Sequence, residues 1–390
     1  MVKTYDRLLL LFMILLLAFG ALMIYSSTAV VSPNETDIVS EFYYFKRHLF
    51  TVVLGALALI VFCNIKLSYV RKGAVPLLVF SFILLALVFV PDIGITAGGA
   101  RRWIKLWPST FQPSELVKLS MVVYLARHMS QPEYHIDRFS SFIQPIVVMI
   151  LFQVIFLKQP DFGATISLGL LTFGMLYISG TKLRYLGSVF VLSIPVFIKL
   201  SMEPYRLKRI LSFIDPYKDP LGSGFQLVQS FIAFGSGGFT GLGLGESKQK
   251  LAYLPASHTD FIFSMVGEEL GLIGATIVML LFVFLFIRGM SIANKSKSPF
   301  IYFLAYGLVL LISLQALINF AVVTGLVPTK GLPLPFMSYG GSALMVNMIA
   351  IGILLKISKG EEDELLPKNN YRVTRRAARR TIYGRKGYRP

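Results

Sequence analysis

Long apolar stretches alternate with short polar ones from one end of the chain to the other. Stretches near the ~20 residues that a helix needs to cross a bilayer lie at approximately 8–27, 49–65, 74–91, 113–128, 142–158, 163–179, 185–201, 261–287, 300–323 and 341–357. Their apolar positions run unbroken instead of alternating. That favours helices over barrel strands, because backbone groups in lipid must be satisfied internally. The predicted fold is an all-α integral membrane protein of about ten transmembrane helices, with a large extracytoplasmic loop between spans 7 and 8. Residues 1–358 would form this polytopic unit, with the loop at 202–260, and residues 359–390 a charged cytoplasmic tail, expected to be disordered. The first stretch is too long for a signal-peptide core and lacks a small-residue cleavage site, so it is expected to stay as an uncleaved span.

Composition agrees: 55% of the 390 residues are hydrophobic. Charge adds direction. With 38 Lys and Arg against 20 acids, the chain carries a formal charge of +18. In a soluble protein this would suggest nucleic acid, but here no nucleic-acid partner is expected, because most of the surplus sits in loops and the tail. Lys3 and Arg7, then Lys66, Arg71 and Lys72, Arg127 and Arg138, Lys182 and Arg184, and Arg288, Lys295 and Lys297 fall on one side if both termini are cytoplasmic. The tail follows an acidic run, Glu361 to Glu364, with basic clusters at Arg375-Arg376 and Arg379-Arg380, suited to anionic lipid. The single cysteine, Cys63, excludes an intrachain disulfide and a cysteine-rich metal site. The sequon Asn34-Glu35-Thr36 is short enough to arise by chance.

Candidate chemistry lies where polar residues break the pattern. Leu254 to Phe263, reading LPASHTDFIF, brings Asp260 to the start of the eighth span, with Glu268 and Glu269 beyond it. An ionisable group at a membrane boundary is costly without a task or a partner. Asp260 fits either a general base of raised pKa, suited to taking a proton from a hydroxyl, or a helix N-cap. His258 could partner it, although a lone histidine is more often structural. Glu268 and Glu269 read as packing or helix-bridging groups. The loop Gly98 to Lys105 carries Arg101, Arg102 and Lys105 on the side that should be poor in cations, which points to an anionic ligand. Glu115 and Lys118 share a helix face, either as a self-neutralising pair or with Lys118 joining the arginines against a phosphate. Pro328 to Ser342, reading PTKGLPLPFMSYGGS, forces a non-helical re-entry at membrane level, tolerated where backbone is buried or lines a cavity. There Lys330, with exposed amides, could hold an anion, and Ser338 is a further candidate contact. The Gly-rich run from Gly235 to Gly245 lacks the Gly-Lys-Ser/Thr of a nucleotide loop and reads as a flexible or tightly packed loop.

The stretches GGARRWIKLWPSTFQPSELVKL, QPDFGAT, RLKRILSFIDPYKDPLGSGFQLVQS, GLGLGESKQKLAYLPASHTDFIFSMVGEELG and PTKGLPLPFMSYGGSAL resemble the SEDS family (shape, elongation, division and sporulation), in order and over nearly the whole membrane region. KQKLAYLPASHTDFIF and PTKGLPLPF are closer to its division branch than to its elongation branch. The resemblance implies a ten-span bacterial cytoplasmic-membrane protein that polymerises peptidoglycan strands from lipid II. The implied partners are a class B penicillin-binding protein supplying transpeptidation and other divisome membrane proteins. It also implies that Asp260 is the family's essential loop aspartate, Arg102 the basic residue before the Trp, and Lys118 the end of the ELxK motif. Trp107 stands where the family usually has Gly, and Ala252 where close relatives often carry an acid. The expected reaction is an inverting glycosyl transfer in which Asp260 deprotonates the acceptor hydroxyl while Arg102 and Lys118 steady the departing lipid diphosphate. No cofactor is fixed by this reading, and a divalent cation could assist at the diphosphate. No dedicated cage for a divalent cation, magnesium or manganese, is visible, and its participation is left open. A lipid II flippase and a non-catalytic division scaffold are the alternatives.

Overall fold

In the computed structural model, residues 5–28, 41–97, 99–106, 109–135, 139–249 and 259–360 are described. His258, the sequon, Trp107, Ala252 and the tail beyond Gly360 lie outside them. The helices are α1 (Arg7–Thr28), α2 (Glu41–Asn64), α3 (Leu67–Lys72), α4 (Ala74–Leu87), α5 (Pro113–Met129), α6 (Phe139–Lys158), α7 (Phe162–Ile178), α8 (Leu183–Ser201), α9 (Pro204–Ile214), α10 (Phe225–Gly237), α11 (Ile262–Glu269), α12 (Gly271–Lys295), α13 (Pro299–Val323) and α14 (Gly341–Ser358). Among the described residues seven of these, α1, α2, α6, α8, α12, α13 and α14, are long and apolar enough to cross a membrane. The shorter α4 and α7 are also apolar.

The helices pack as a bundle centred on α5, α13 and α14, whose residues are mostly buried. α14 lies along α2, and α13 bridges α5 and α12. Small residues allow the closest approaches. A side chain at Gly20 of α1 would strike the backbone of Met337 and Phe336 at 2.6 and 2.7 Å, so α1 passes directly over the re-entrant turn before α14. α8 stands at the periphery with no buried residue.

Two expectations are corrected. The protein is not wholly α-helical: between α4 and α5 the chain forms an antiparallel sheet of β1 (Gly94–Ala97), β2 (Ala100–Leu106) and β3 (Ser109–Phe111), in that order. The eighth predicted span, 261–287, is two helices, α11 and α12, broken at Leu270. Gly271 has φ of +66°, and a Cβ there would lie 2.4 Å from the Gly241 amide nitrogen. The carbonyls of Glu268 and Glu269 leave the helix ladder and accept from the amides of Leu242 and Gly243. The Gly-rich run is therefore packed tightly against this break, with Gly237 backing onto the Gly267 carbonyl.

The bundle has two unlike ends. At one, Asp6 pairs with Arg288 at 2.8 Å and its amide donates to Ser358 Oγ at 3.0 Å, joining the start of α1 to α12 and the end of α14. The opposite end carries the sheet, the α6–α7 junction, α9, α10, Asp260 and the re-entrant segment before α14.

Candidate active site

Asp260 is the residue around which that end is arranged. The N-cap of α11 is Phe261, with no side-chain cap bond, so the capping alternative for Asp260 is not what the fold uses. Asp260 keeps partial exposure while being closely surrounded. Its Oδ2 would lie 2.7 Å from a Cβ on Gly331, so the missing side chain at Gly331 is what admits the carboxylate. Burial pushes its pKa up to about 6, against the pull of Arg209 and Arg102, which favour the charged form.

Arg102 reaches this place through an irregularity in the sheet. β1 pairs Ile95 with Trp103 and Thr96 with Arg101, leaving Arg102 opposite no residue. Bulges of this kind re-aim a side chain. Arg102 donates to the carbonyls of Gln159 and Pro160, which locks β2 to the α6–α7 junction. Next in sequence, Asp161 caps α7 by accepting from the Ala164 amide at 3.0 Å, and its other oxygen accepts from Gln112 Nε2 at 3.4 Å. Gln112 in turn donates its backbone N–H to Ser342 Oγ at 2.9 Å. The QPD motif thus braces the starts of α5, α7 and α14.

Arg209, from the amphipathic α9, donates to the Thr329 carbonyl at 3.2 Å. Lys330 follows at once. Its ammonium sits 4.9 Å from the centre of the Phe162 ring, and the Arg206 guanidinium lies 5.2 Å from the same ring. Burial lowers the Lys330 pKa to about 8. Two cations that lower the pKa of Asp260 and two more gathered around Phe162 are what a polyanionic ligand with a proton-accepting partner requires.

The other candidates fall elsewhere. Arg101 turns back to the Phe89 carbonyl, 3.1 Å away just past the end of α4, and is not among the charges that act on Asp260. Glu115 and Lys118 form a buried pair at 2.7 Å, 4% and 2% exposed, which is the self-neutralising arrangement. Ser338 is buried inside the re-entrant turn, where its Oγ accepts from the Leu334 amide at 2.7 Å. Glu268 accepts from Ser247 Oγ and from the Lys248 amide, and Glu269 from Ser26 Oγ. Both brace α11. Arg209 and Arg206 escaped sequence reasoning. Their position over QPD and PTKG is a tertiary fact that spacing does not carry. Among the described residues no cluster of metal-ligating side chains forms. With Asp161 doubly engaged and cations around Asp260, the donor set does not fit a divalent cation held by protein groups.

The sequence profile of the FtsW/RodA/SpoVE family, described as "Cell cycle protein", matches residues 6–363. A probable peptidoglycan glycosyltransferase FtsW from Geobacter sulfurreducens is 44% identical over 359 residues, covering 92% of this chain and 96% of that protein. The stage V sporulation protein E of Bacillus subtilis is 39% identical over 357 residues, covering 91% and 97%. Among solved structures, a chain of a peptidoglycan synthase complex, studied for its coordination of polymerization and crosslinking, superposes with a TM-score of 0.74. It shares 28% identity and covers 91% of this chain and 98% of that one.

Proposed function

The chain belongs to the FtsW/RodA/SpoVE family of cell cycle proteins, and on that premise we propose that it is a peptidoglycan glycosyltransferase that polymerises glycan strands from lipid II in septal wall synthesis. The observation that carries the reading is a partly exposed carboxylate of near-neutral pKa, Asp260, under the charges of Arg102 and Arg209, with Lys330 and Arg206 gathered on Phe162. Asp260 takes the proton of the acceptor sugar hydroxyl as that oxygen forms a bond to the donor's anomeric carbon. The bond from that carbon to the lipid diphosphate breaks with its electron pair. Arg102, Arg209 and Lys330 stabilise the negative charge that develops on the diphosphate. So good a leaving group needs no second carboxylic acid, unlike the paired carboxylates of glycoside hydrolysis.

The end bearing Asp260 faces outward in this reading, and the end joining Asp6, Arg288 and Ser358 faces the cytoplasm. That arrangement follows the basic loops and gives ten crossings of the bacterial cytoplasmic membrane, with α11 and α12 counted as one. The solved relative works in a synthase complex, which supports a class B penicillin-binding protein as the crosslinking partner of this chain. Purified protein supplied with lipid II should lengthen glycan strands, and Asp260→Asn should bind lipid II yet leave it unpolymerised. Polymerisation at the normal rate by Asp260→Asn would remove the general base from the proposal.

A further inference from the structure

We infer that Asn319 is the positioning residue of this site: its side-chain amide clamps the backbone of Asp260 to that of Leu332 and so holds the carboxylate against the cation-bearing segment. The inference rests on the reading of Asp260 as the base. Asn319 lies in the outer part of α13, 1% exposed. Its Nδ2 donates to the Asp260 carbonyl at 2.8 Å and to the Leu332 carbonyl at 2.7 Å. One amide nitrogen therefore spends both protons joining two segments that come from opposite sides of α13 in sequence.

The geometry at the clamp shows what it secures. Leu332 follows Gly331, whose Cα faces the Asp260 carboxylate, and Lys330, whose ammonium rests on Phe162. Drawing the two carbonyls to one donor sets the separation between the acid and the Lys330 segment. The side chain also carries a cost that packing alone does not explain. Its Oδ1 is buried without a partner, and an unmet buried acceptor is unfavourable. A leucine of similar size would fill the same space and remove that acceptor. What it could not do is hold two carbonyls.

The charged groups that act on Asp260 are Arg102 from β2 and Arg209 from α9, while Lys330, one residue before Gly331, rests its ammonium on Phe162. Asn319, from α13, is uncharged, so replacing it alters the position and hydration of the acid without changing the charges around it. An acid released from the clamp gains water, and its pKa falls towards ordinary carboxylate values.

The test uses the full-length protein and lipid II, with turnover followed across pH. Asn319→Leu should lower kcat by about 10- to 100-fold, the loss expected from a small misplacement of a reacting group, with KM for lipid II little changed. The acid limb of kcat should move to lower pH. Asn319→Ala, which adds no bulk, should shift the limb the same way and serves if leucine does not fit. If either variant folds and keeps the normal kcat and the normal acid limb, or if losses track only the amount of folded protein, the clamp is overturned. Asp260→Asn assayed alongside separates the two ideas. Full activity there removes the base, whereas an inert Asp260→Asn beside a fully active Asn319→Leu removes only the clamp.

Discussion

Arg102, the unpaired residue of the β2 bulge, donates to the carbonyl of Pro160, immediately before Asp161. One side chain thereby fixes the sheet to the start of α7 and brings a permanent positive charge to bear on Asp260.

That double duty separates two substitutions. Arg102→Ala should lower kcat/KM for polymerisation by about 10²–10³, the range for losing one preorganised charge stabiliser. It should also move the acid limb to higher pH, because removing a nearby cation disfavours the carboxylate. Arg102→Lys should restore the limb but only part of the rate, since an ammonium keeps the charge and loses the planar fork that spans two carbonyls. Equal rates in Arg102→Lys and the parent would show that the fork is dispensable.

The pH profile itself is a prediction. Asp260 must be ionised to accept a proton, and its pKa is about 6. Lys330 must be protonated to stabilise a diphosphate, and its pKa is about 8. Activity should rise through the first value and fall through the second, giving a bell. Lys330→Arg should abolish the alkaline limb, because a guanidinium stays charged throughout. A limb that persists in Lys330→Arg would assign it to another group.

Most of the helical architecture was legible in the apolar runs, because lipid leaves a spanning segment little choice of structure. Each of the ten predicted stretches overlaps a helix, and only the eighth, which breaks at Leu270, is divided in two. The break was hidden because Gly271 counts as apolar in a hydropathy reading, while its conformation is set by Gly241 from a distant loop. The sheet escaped for a similar reason: its strands have 4, 7 and 3 residues, too few for a period to emerge. Asp260 and Arg102 stood out as charges at membrane boundaries, and Lys330 as a cation in a proline-broken segment. Arg209 and Asn319 did not, since each acts through backbone carbonyls far away in sequence. The pairing of Lys118 with Glu115 was legible for the opposite reason: its counterion is one helical turn away.

This pair can be tested apart from catalysis. Lys118→Met leaves Glu115 buried and uncompensated, and breaking such a pair costs about 3–5 kcal/mol. The double variant Glu115→Gln, Lys118→Met should recover most of that loss in thermal melts in detergent. If it melts like the parent yet polymerises normally, Lys118 has no direct part in the chemistry. If it melts normally but is inert, the lysine acts on substrate after all.

The packing of the Gly-rich run predicts opposite signs for two neighbouring glycines of α10. A Cβ at Gly237 would lie 2.0 Å from the Gly267 carbonyl oxygen, so Gly237→Ala must push α10 from α11 and should cost about 1–3 kcal/mol or more. Gly235 is exposed on the same helix with nothing within 4 Å of its Cβ position. Gly235→Ala should therefore stabilise by roughly 0.5–1 kcal/mol through helix propensity alone. Melting temperatures that move in the same direction would contradict the close approach.

Asp260 also leaves a signature in stability whose sign distinguishes a base from a structural ion-pair acid. Its pKa rises from 3.8 to about 6 on folding, so the folded state disfavours the charged form. Linkage then makes folding stability fall as pH rises from about 4 through about 6, with no further change above. Asn at this position never charges, so Asp260→Asn should melt at a higher temperature than the parent at pH 7.5, and the gain should vanish at pH 4. An acid whose arginines outweighed its burial would have a depressed pKa. Its removal would destabilise at neutral pH, and that loss would fade only as acid protonated the parent. Thermal melts of the two proteins at pH 4 and pH 7.5 decide between these, because the predicted differences have opposite signs.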